Sequence, residues 1–267
     1  MRLEARKIKK RIICIVLAVI SALSVCACGV SGGKYKIVKK IADQEYSIGF
    51  RAGDTAALYI DAALKELAYD GTVDGLARDW FGNSSAVDFP KKKNAIKELG
   101  YIEPRTFILG IDLSSNPMCY QLGSDYTGFD VELARQVCEK LGWQLKIQPI
   151  RSEDAYIELN SGNIDCAWGG VVLDTESPDY YVLLTYMSNE LVIAAKSGTS
   201  NLLRGKTLYM NSSQTYLDII NDKSHMIKNL SQITRVDGST ADFFKYLDEG
   251  ECDYILTTSS AVAFNNH

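Results

Sequence analysis

The sequence predicts an α/β fold with a ligand crevice at the carboxyl ends of its strands. Three observations between Phe107 and Gly170 predict it: short apolar runs alternate with a helical period, glycines close the helices, and polar loops follow the strands. Phe107-Ile108-Leu109-Gly110-Ile111 reads as a strand that opens at Asp112 into a polar loop. Gly128-Phe129-Asp130-Val131-Glu132-Leu133-Ala134 opens a helix with Asp130 as its expected N-cap. Ala134, Val137, Cys138 and Leu141 share one face, and Gly142 stops the helix. Leu145, Ile147 and Pro149 alternate as a second strand. After a short helix, the run from Leu159 to Gly170 reads as a turn into a buried strand ending in two glycines. Strand–helix–strand–helix–strand, with polar loops after the strands, is how an open sheet builds a binding crevice.

Composition bounds the answer. The chain has 267 residues and 46% hydrophobic content, enough for one or two domains with a real core. A net charge of −4 argues against nucleic acid as a partner. His225 and His267 lie far apart, and no Cys/His spacing reads as a metal site, so neither metal nor cofactor is expected. Cys138 and Cys166 read as small buried hydrophobes, and no disulfide is predicted.

Along the chain, Met1 to Arg11 is basic and Ile12 to Val25 is apolar and uncharged, the pattern of a secretory signal. Val25-Cys26-Ala27-Cys28 resembles a bacterial lipobox. Cys28 is the expected lipidation site, with Gly29-Val30-Ser31-Gly32-Gly33 as a flexible tether. That places the mature chain on the extracellular face of a bacterial membrane. Glu45 to Asp54 reads as a strand and turn, capped at Asp54, into a helix striped by Ile60, Ala63, Leu64 and Leu67. Val73, Leu76, Ala77 and Trp80 mark a second helix. Further on, Gly205 to Met210 reads as a strand, Asn211-Ser212-Ser213-Gln214 as a polar loop into a helix, and Asp237 to Leu247 as a helix closed by Gly250. Asp253 to Thr257 reads as a strand, and a helix starts near Ser260-Ala261-Val262-Ala263.

The motifs Gly110-Ile111-Asp112, Pro117, Gly128 to Ala134 and Leu159 to Asp165 resemble, in order and spacing, the extracellular solute-binding proteins of polar amino acid ABC transporters. The resemblance implies a two-lobed, periplasmic-binding-protein-like (type II) fold, each lobe a central sheet flanked by helices. Residues 34–82, with Tyr46-Ser47-Ile48-Gly49-Phe50 and Trp80-Phe81-Gly82, resemble the segment that normally closes this family at its C-terminus. Here it precedes the segment that normally comes first. The chain is therefore expected to be circularly permuted. The expected parts are a signal over 1–28, a tether and return segment over 29–45, one lobe over 46–188 joined through a link at 83–105, and the other lobe over 189–267. The expected crossings lie near Tyr46-Ser47 and Ser188-Asn189.

The resemblance also places a site. Asp112 matches the acid after the first strand. Gly169 and Gly170 match the end of the site strand, where backbone approaches ligand. Ser212, Ser213 and Gln214 match the second lobe's loop at a helix start. Trp168 reads as core. The departures are as informative. The family's carboxylate-gripping arginine falls on Ser177 or, in the other alignment, Glu176, and its acid before the final helix on Thr258 or Ser259. Its two aromatics fall on Ser115 and Ser152, the latter beside Arg151. An ordinary α-amino acid should bind weakly unless Arg151, Arg204 or Arg235 substitutes, because a buried charge without a partner is costly.

The function this implies is a lipid-anchored, monomeric solute-binding component that captures a small polar solute, an amino acid or derivative, and presents it to ABC permease subunits. The alternatives are a non-transporting sensor or ligand trap, or a dehydratase-like enzyme. No nucleophile–base pair is visible, although Asp112, Asp174 and Glu176 could converge as paired carboxylates.

Overall fold

The structure, a computed structural model, describes residues 33–267; the expected signal and Cys28 lie outside the described residues. Lys34–His267 forms one compact unit. In chain order its main elements are β1 (Tyr35–Phe50), α1 (Ala56–Tyr69), α2 (Thr72–Phe81), β2 (Thr106–Ile111), β3 (Tyr120–Leu122), β4 (Asp125–Thr127), α3 (Phe129–Leu141), β5 (Gln144–Pro149), α4 (Ala155–Ser161), β6 (Cys166–Ala167), β7 (Tyr181–Lys196), β8 (Thr207–Asn211), α5 (Gln214–Asp222), β9 (Gln232–Val236), α6 (Thr240–Glu249), β10 (Tyr254–Thr258) and α7 (Ser259–Asn266). Eight strands form one sheet in the order β5-β2-β6-β1-β7-β10-β8-β9. β5, β2 and β6 run parallel, as do β10, β8 and β9. Between these parallel sets lies an antiparallel ribbon, β1 against β7.

Each strand of that ribbon is 16 residues long. The sequence reading started β1 at Glu45 and assigned no strand to Tyr181–Lys196, so both are longer than expected. The pairing runs from Tyr35↔Lys196 to Phe50↔Tyr181 and shifts register four times. Val38 and Ile41 stand outside the pairing on β1, and Leu183 and Tyr186 stand outside it on β7. A bulge frees a residue from the ladder and re-aims its side chain. Here the freed side chains point into cores: Ile41 and Val38 into the cluster around Leu208 and Tyr254, Tyr186 and Leu183 into the cluster around Phe107 and Phe129. The stretch Asp43–Tyr46 against Met187–Glu190 keeps an unbroken register.

The cores divide at that stretch. Tyr46, Ile48 and Phe50 pack with Phe107, Leu109, Ile111, α1 and α3. Tyr35, Ile41 and Leu191 to Ala195 pack with residues of β8, α6 and β10. Residues 34–82 are thus built into the common sheet and its covering helices. Where the described chain begins and ends, the Asn266 side-chain amide receives the Tyr35 N–H at 2.8 Å and donates to the Tyr35 carbonyl at 2.9 Å. Lys34 and the Tyr35 hydroxyl both reach Asp248, at 2.6 and 2.9 Å. All four described cysteines are free and buried.

One expected cap is corrected. α3 is capped by Gly128 and not by Asp130. Gly128 has φ 126°, and a Cβ there would stand 2.3 Å from the Met118 carbonyl oxygen, so only glycine fits. Asp130, two residues on, is fully buried and turns inward. Its carboxylate accepts from Trp168 Nε1 at 3.1 Å, Gly170 N at 2.8 Å and the Tyr186 hydroxyl at 2.7 Å. One carboxylate therefore joins α3, the end of the β6 strand and the bulged residue of β7. Burial pushes its carboxyl up to about 7, and the three donors pull against that rise.

The two glycines after β6 make room for neighbouring protein. A Cβ on Gly170 (φ 68°) would lie 2.2 Å from Ser115 Cβ, and one on Gly169 would lie 2.5 Å from Ile111 Cγ2. Ser115 Oγ donates to the Gly170 carbonyl at 2.8 Å.

Two predictions follow from this junction. The Asp130 folded pKa of about 7 lies above its unfolded value. The folded state therefore binds more protons between the two values, and Asp130 removes stability as pH rises from about 4 toward about 7. Asp130→Asn should flatten that slope, by a few kcal/mol across the window, in melting curves recorded against pH. An unchanged difference between variant and parent at all pH values would refute it. Gly170→Ala should cost about 2–4 kcal/mol in urea unfolding through overpacking and left-handed strain. Adding Ser115→Gly should recover part of the loss, because the clash is with Ser115 Cβ.

Candidate functional site: a polar cleft at the strand ends

Five parallel strands end at one place. Asp112 follows β2, Arg151 and Ser152 follow β5, Ser212 and Ser213 follow β8, Asp237 follows β9, and Thr258 ends β10. This is where an open α/β sheet leaves room for a ligand. Here the ends of two parallel sets face one another, with Gln44 of the ribbon between them. An outer cavity of about 410 Å³ is lined by Asp112, Ser114, Arg151, Glu153, Asn211, Ser212, Ser213 and Asp237. Two smaller inner spaces, of about 10 and 20 Å³, continue it toward Asn116 and Thr258 and toward Gln44 and Tyr216.

Asp112 is held from both sides. Oδ1 accepts from Ser114 N and Oγ at 3.0 and 2.7 Å; Oδ2 accepts from Ser152 N and Oγ at 3.0 and 2.6 Å. The loops after β2 and β5 are thereby tied through one carboxylate. Across the cleft, Asn211 Oδ1 accepts from Ser213 N at 2.8 Å, and Ser213 Oγ accepts from Tyr216 N at 3.4 Å as the cap of α5. Ser212 Oγ donates to Asp237. Ser239 and Asp242 form a capping box at the start of α6. Thr240 Oγ1 donates to the Ser114 carbonyl at 2.7 Å, a direct bond from one side of the cleft to the other. Burial and the nearby Asp112 charge push the Tyr216 hydroxyl up to about 12, so it stays protonated as a donor.

Electrostatically the cleft is acidic. Among the described residues that line it, Asp112, Glu153 and Asp237 face one cation, Arg151. Arg151 is largely exposed and donates through Nε to Glu153 at 3.0 Å, with Asp154 Oδ2 3.7 Å away. Two buried side-chain oxygens at the inner spaces, Gln44 Oε1 and Asn116 Oδ1, have no hydrogen-bond partner among the described residues.

The sequence-predicted residues fall into two groups. Asp112, Arg151, Ser212 and Ser213 line the outer cavity, while Ser115, Ser152 and Thr258 line the inner spaces. Gln214 opens α5 beside them. Gly169 and Gly170 are buried behind the loop after β2, and what approaches them is Ile111 and Ser115. Ser259 is turned to the ribbon, where its Oγ donates to Asn189 Oδ1 at 2.6 Å. Ser177 sits in a turn with Asp179, outside the cavities. Neither Arg204 nor Arg235 lines the cavities described, nor does Asp174 or Glu176. Trp168 is core, as expected. Sequence reasoning missed Gln44, Ser114, Asn116, Glu153, Asn211, Tyr216, Asp237 and Thr240. Asp237 carried a usable signal, since it follows its strand as Asp112 follows β2. No group of residues that could hold a metal ion occurs among the described residues. No helix among them is long and apolar enough to cross a membrane.

The family described as bacterial extracellular solute-binding proteins, family 3, matches residues 107–237. The chain is similar to the arginine-binding extracellular protein ArtP of Bacillus subtilis, 28% identical over 109 residues, which is 39% of this chain and 43% of that protein. It is also similar to the membrane-bound lytic murein transglycosylase F of Yersinia enterocolitica, 25% identical over 164 residues, 58% of this chain and 34% of that protein. The chain thus spans less than half the length of these curated relatives. Among solved structures, an ABC uptake transporter substrate-binding protein of Streptococcus pneumoniae with bound histidine aligns over 58% of this chain and 67% of its own, at 25% identity and a TM-score of 0.43. The ancestral amino acid-binding protein AncCDT-1, a precursor of cyclohexadienyl dehydratase, aligns over 64% and 76%, at 19% identity and a TM-score of 0.47. Residues 107–237, just under half of the chain, thus resemble the bacterial extracellular solute-binding proteins, family 3.

Proposed function

We propose that this chain is the solute-binding component of an ABC importer. It captures a small polar solute between two lobes and presents it to permease subunits. The observation that carries the reading is the convergence of two parallel strand sets on one polar cleft, across a two-stranded ribbon. Such a ribbon is the place for a hinge, and ligand trapped between lobes favours the closed form. The lobes would be residues 46–188, and the tether and return segment with 189–267. The order of the segments would be a circular permutation of the family's. The bonds of Asn266 to Tyr35, and the shared core of Ile48, Phe50 and Phe107, support that order. The family match and the name of the Bacillus subtilis relative support an extracellular place and an amino acid or derivative as solute. The lipobox-like Cys28 supports a lipid anchor, and the protein would act as a monomer.

Binding residues on this reading are Asp112, Ser114, Ser152, Ser212, Ser213 and Asp237, with Tyr216 and Thr258 at the inner end. The chain would act without chemistry of its own. A sensor or ligand trap would use the same cleft and differ in its partner.

A ligand at 100 times its dissociation constant should stabilise the full chain by about 2.7 kcal/mol. That is a rise of roughly 5–10 °C in melting temperature for a protein of this size. A thermal-shift screen against amino acids, amines, small peptides and sugars should produce such a rise with at least one class. A cooperatively melting protein that responds to none of them would sink the solute-binding reading.

A further inference from the structure

We infer that the solute is an organic cation: a molecule with an amine or guanidinium group and no carboxylate. This deepens the solute-binding reading and rests on it. Two independent observations lead there. The first is charge. Asp112 and Asp237 face the same cavity from opposite sides, with Glu153 beside them. The one cation of the cleft, Arg151, is already engaged by Glu153 and Asp154. With the Arg151–Glu153 pair set aside, a carboxylate entering this cavity would meet two acids, Asp112 and Asp237, and no unengaged cation among the described lining residues. An ammonium or guanidinium would meet carboxylates on both walls.

The second observation is the pattern of unpaired atoms. Gln44 and Asn116 are each only 7% exposed, and each lines a small space that shares wall residues with the cleft: Ser114 and Asn211 on the Asn116 side, Asp112, Ser114, Glu153 and Ser213 on the Gln44 side. Gln44 Oε1 and Asn116 Oδ1 are buried acceptors with no donor among the described residues. Buried acceptors without donors are costly, so such a site calls for a group that brings N–H or O–H. Both the charges and the unpaired atoms therefore ask for a donor.

The helices that start at the cleft would by themselves attract an anion. One N–H of the first turn at each start is taken by the helix's own cap. Ser213 Oγ accepts from Tyr216 N, Ser239 Oγ accepts from Asp242 N, and the Asp242 carboxylate accepts from Ser239 N. Each start thus carries a side-chain oxygen of its own, and the buried atoms left without a partner are acceptors.

The test compares molecules that differ by one carboxylate. Calorimetric titration of the full chain with agmatine against arginine, and with putrescine against ornithine, isolates that group. The decarboxylated member of each pair should bind ~10-fold tighter or more, a little above the scale of one like-charge contact in fully hydrated surroundings. Asp237 is exposed, so Asp237→Asn should leave the unliganded melting temperature unchanged. It should weaken agmatine by ~5–10-fold, and less so at high salt. If arginine or ornithine binds as tightly as its decarboxylated partner, the proposal fails and the solute-binding reading stands. If agmatine binds but Asp237→Asn leaves its affinity unchanged, the proposed cleft is not the cation's site and the proposal fails. If none of these, and no member of the wider solute panel, binds a cooperatively folded chain, both readings fall together.

Discussion

The pairing of β1 with β7 is the constraint on which the rest of the structure depends. Each strand gives one end to each set of core clusters, so neither core can form without the ribbon. Between them the paired stretch Asp43–Tyr46 and Met187–Glu190 carries the chain across without an irregularity. Everything that makes the cleft is hung on either side of it. β2, β5 and β6 extend the sheet one way and β10, β8 and β9 extend it the other, and their carboxyl ends come back toward the middle. Gln44, at the middle of the ribbon, forms part of the cleft wall because it sits where the two sets meet.

Asp130 fixes one side of this frame. A buried carboxylate is unfavourable unless its oxygens are filled, and here three donors fill them from three different elements. The arrangement depends on two other features of the chain. Tyr186 reaches Asp130 only because β7 lets it out of the ladder, and Gly170 can present its N–H there only because its left-handed backbone leaves space for Ser115. Ser115 in turn belongs to the loop that shapes the cleft. The path from the buried acid to the ligand-facing loop is therefore a short series of direct contacts.

Much of the α/β architecture was legible in the sequence because it rests on local signals. Apolar period, glycine stops and the Gly-Phe-Asp helix start all act within a few residues, and β2, α3, β5, β8, α6 and β10 formed close to where they predict. The ribbon was not legible. Lys34–Gln44 is rich in lysine and its two bulges break the alternation that would mark a strand, while β7 mixes both burial phases for the same reason. The site divided in a similar way. Residues placed by a strand end, such as Asp112, Ser152 and Ser213, line the cavities. Those placed by the family resemblance alone, such as Ser177 and Ser259, do not line them. Asp130 was misread because an acid at a helix start looks like a cap, and only the tertiary fold shows that its partners lie far along the chain.

The four irregularities of the ribbon have a geometric consequence. On the side of β8 and β10 the surplus residues, Val38 and Ile41, belong to β1; on the side of β2 and β5 the surplus, Leu183 and Tyr186, belongs to β7. A bulge kinks the strand that carries it and adds local twist. The bulged strand changes across the clean stretch at Asp43–Tyr46, so the kinks enter through β1 on one side and through β7 on the other, and the change falls where the two cores part. Because the surplus on one strand equals that on the other, the ends still meet in step, Tyr35 with Lys196 and Phe50 with Tyr181.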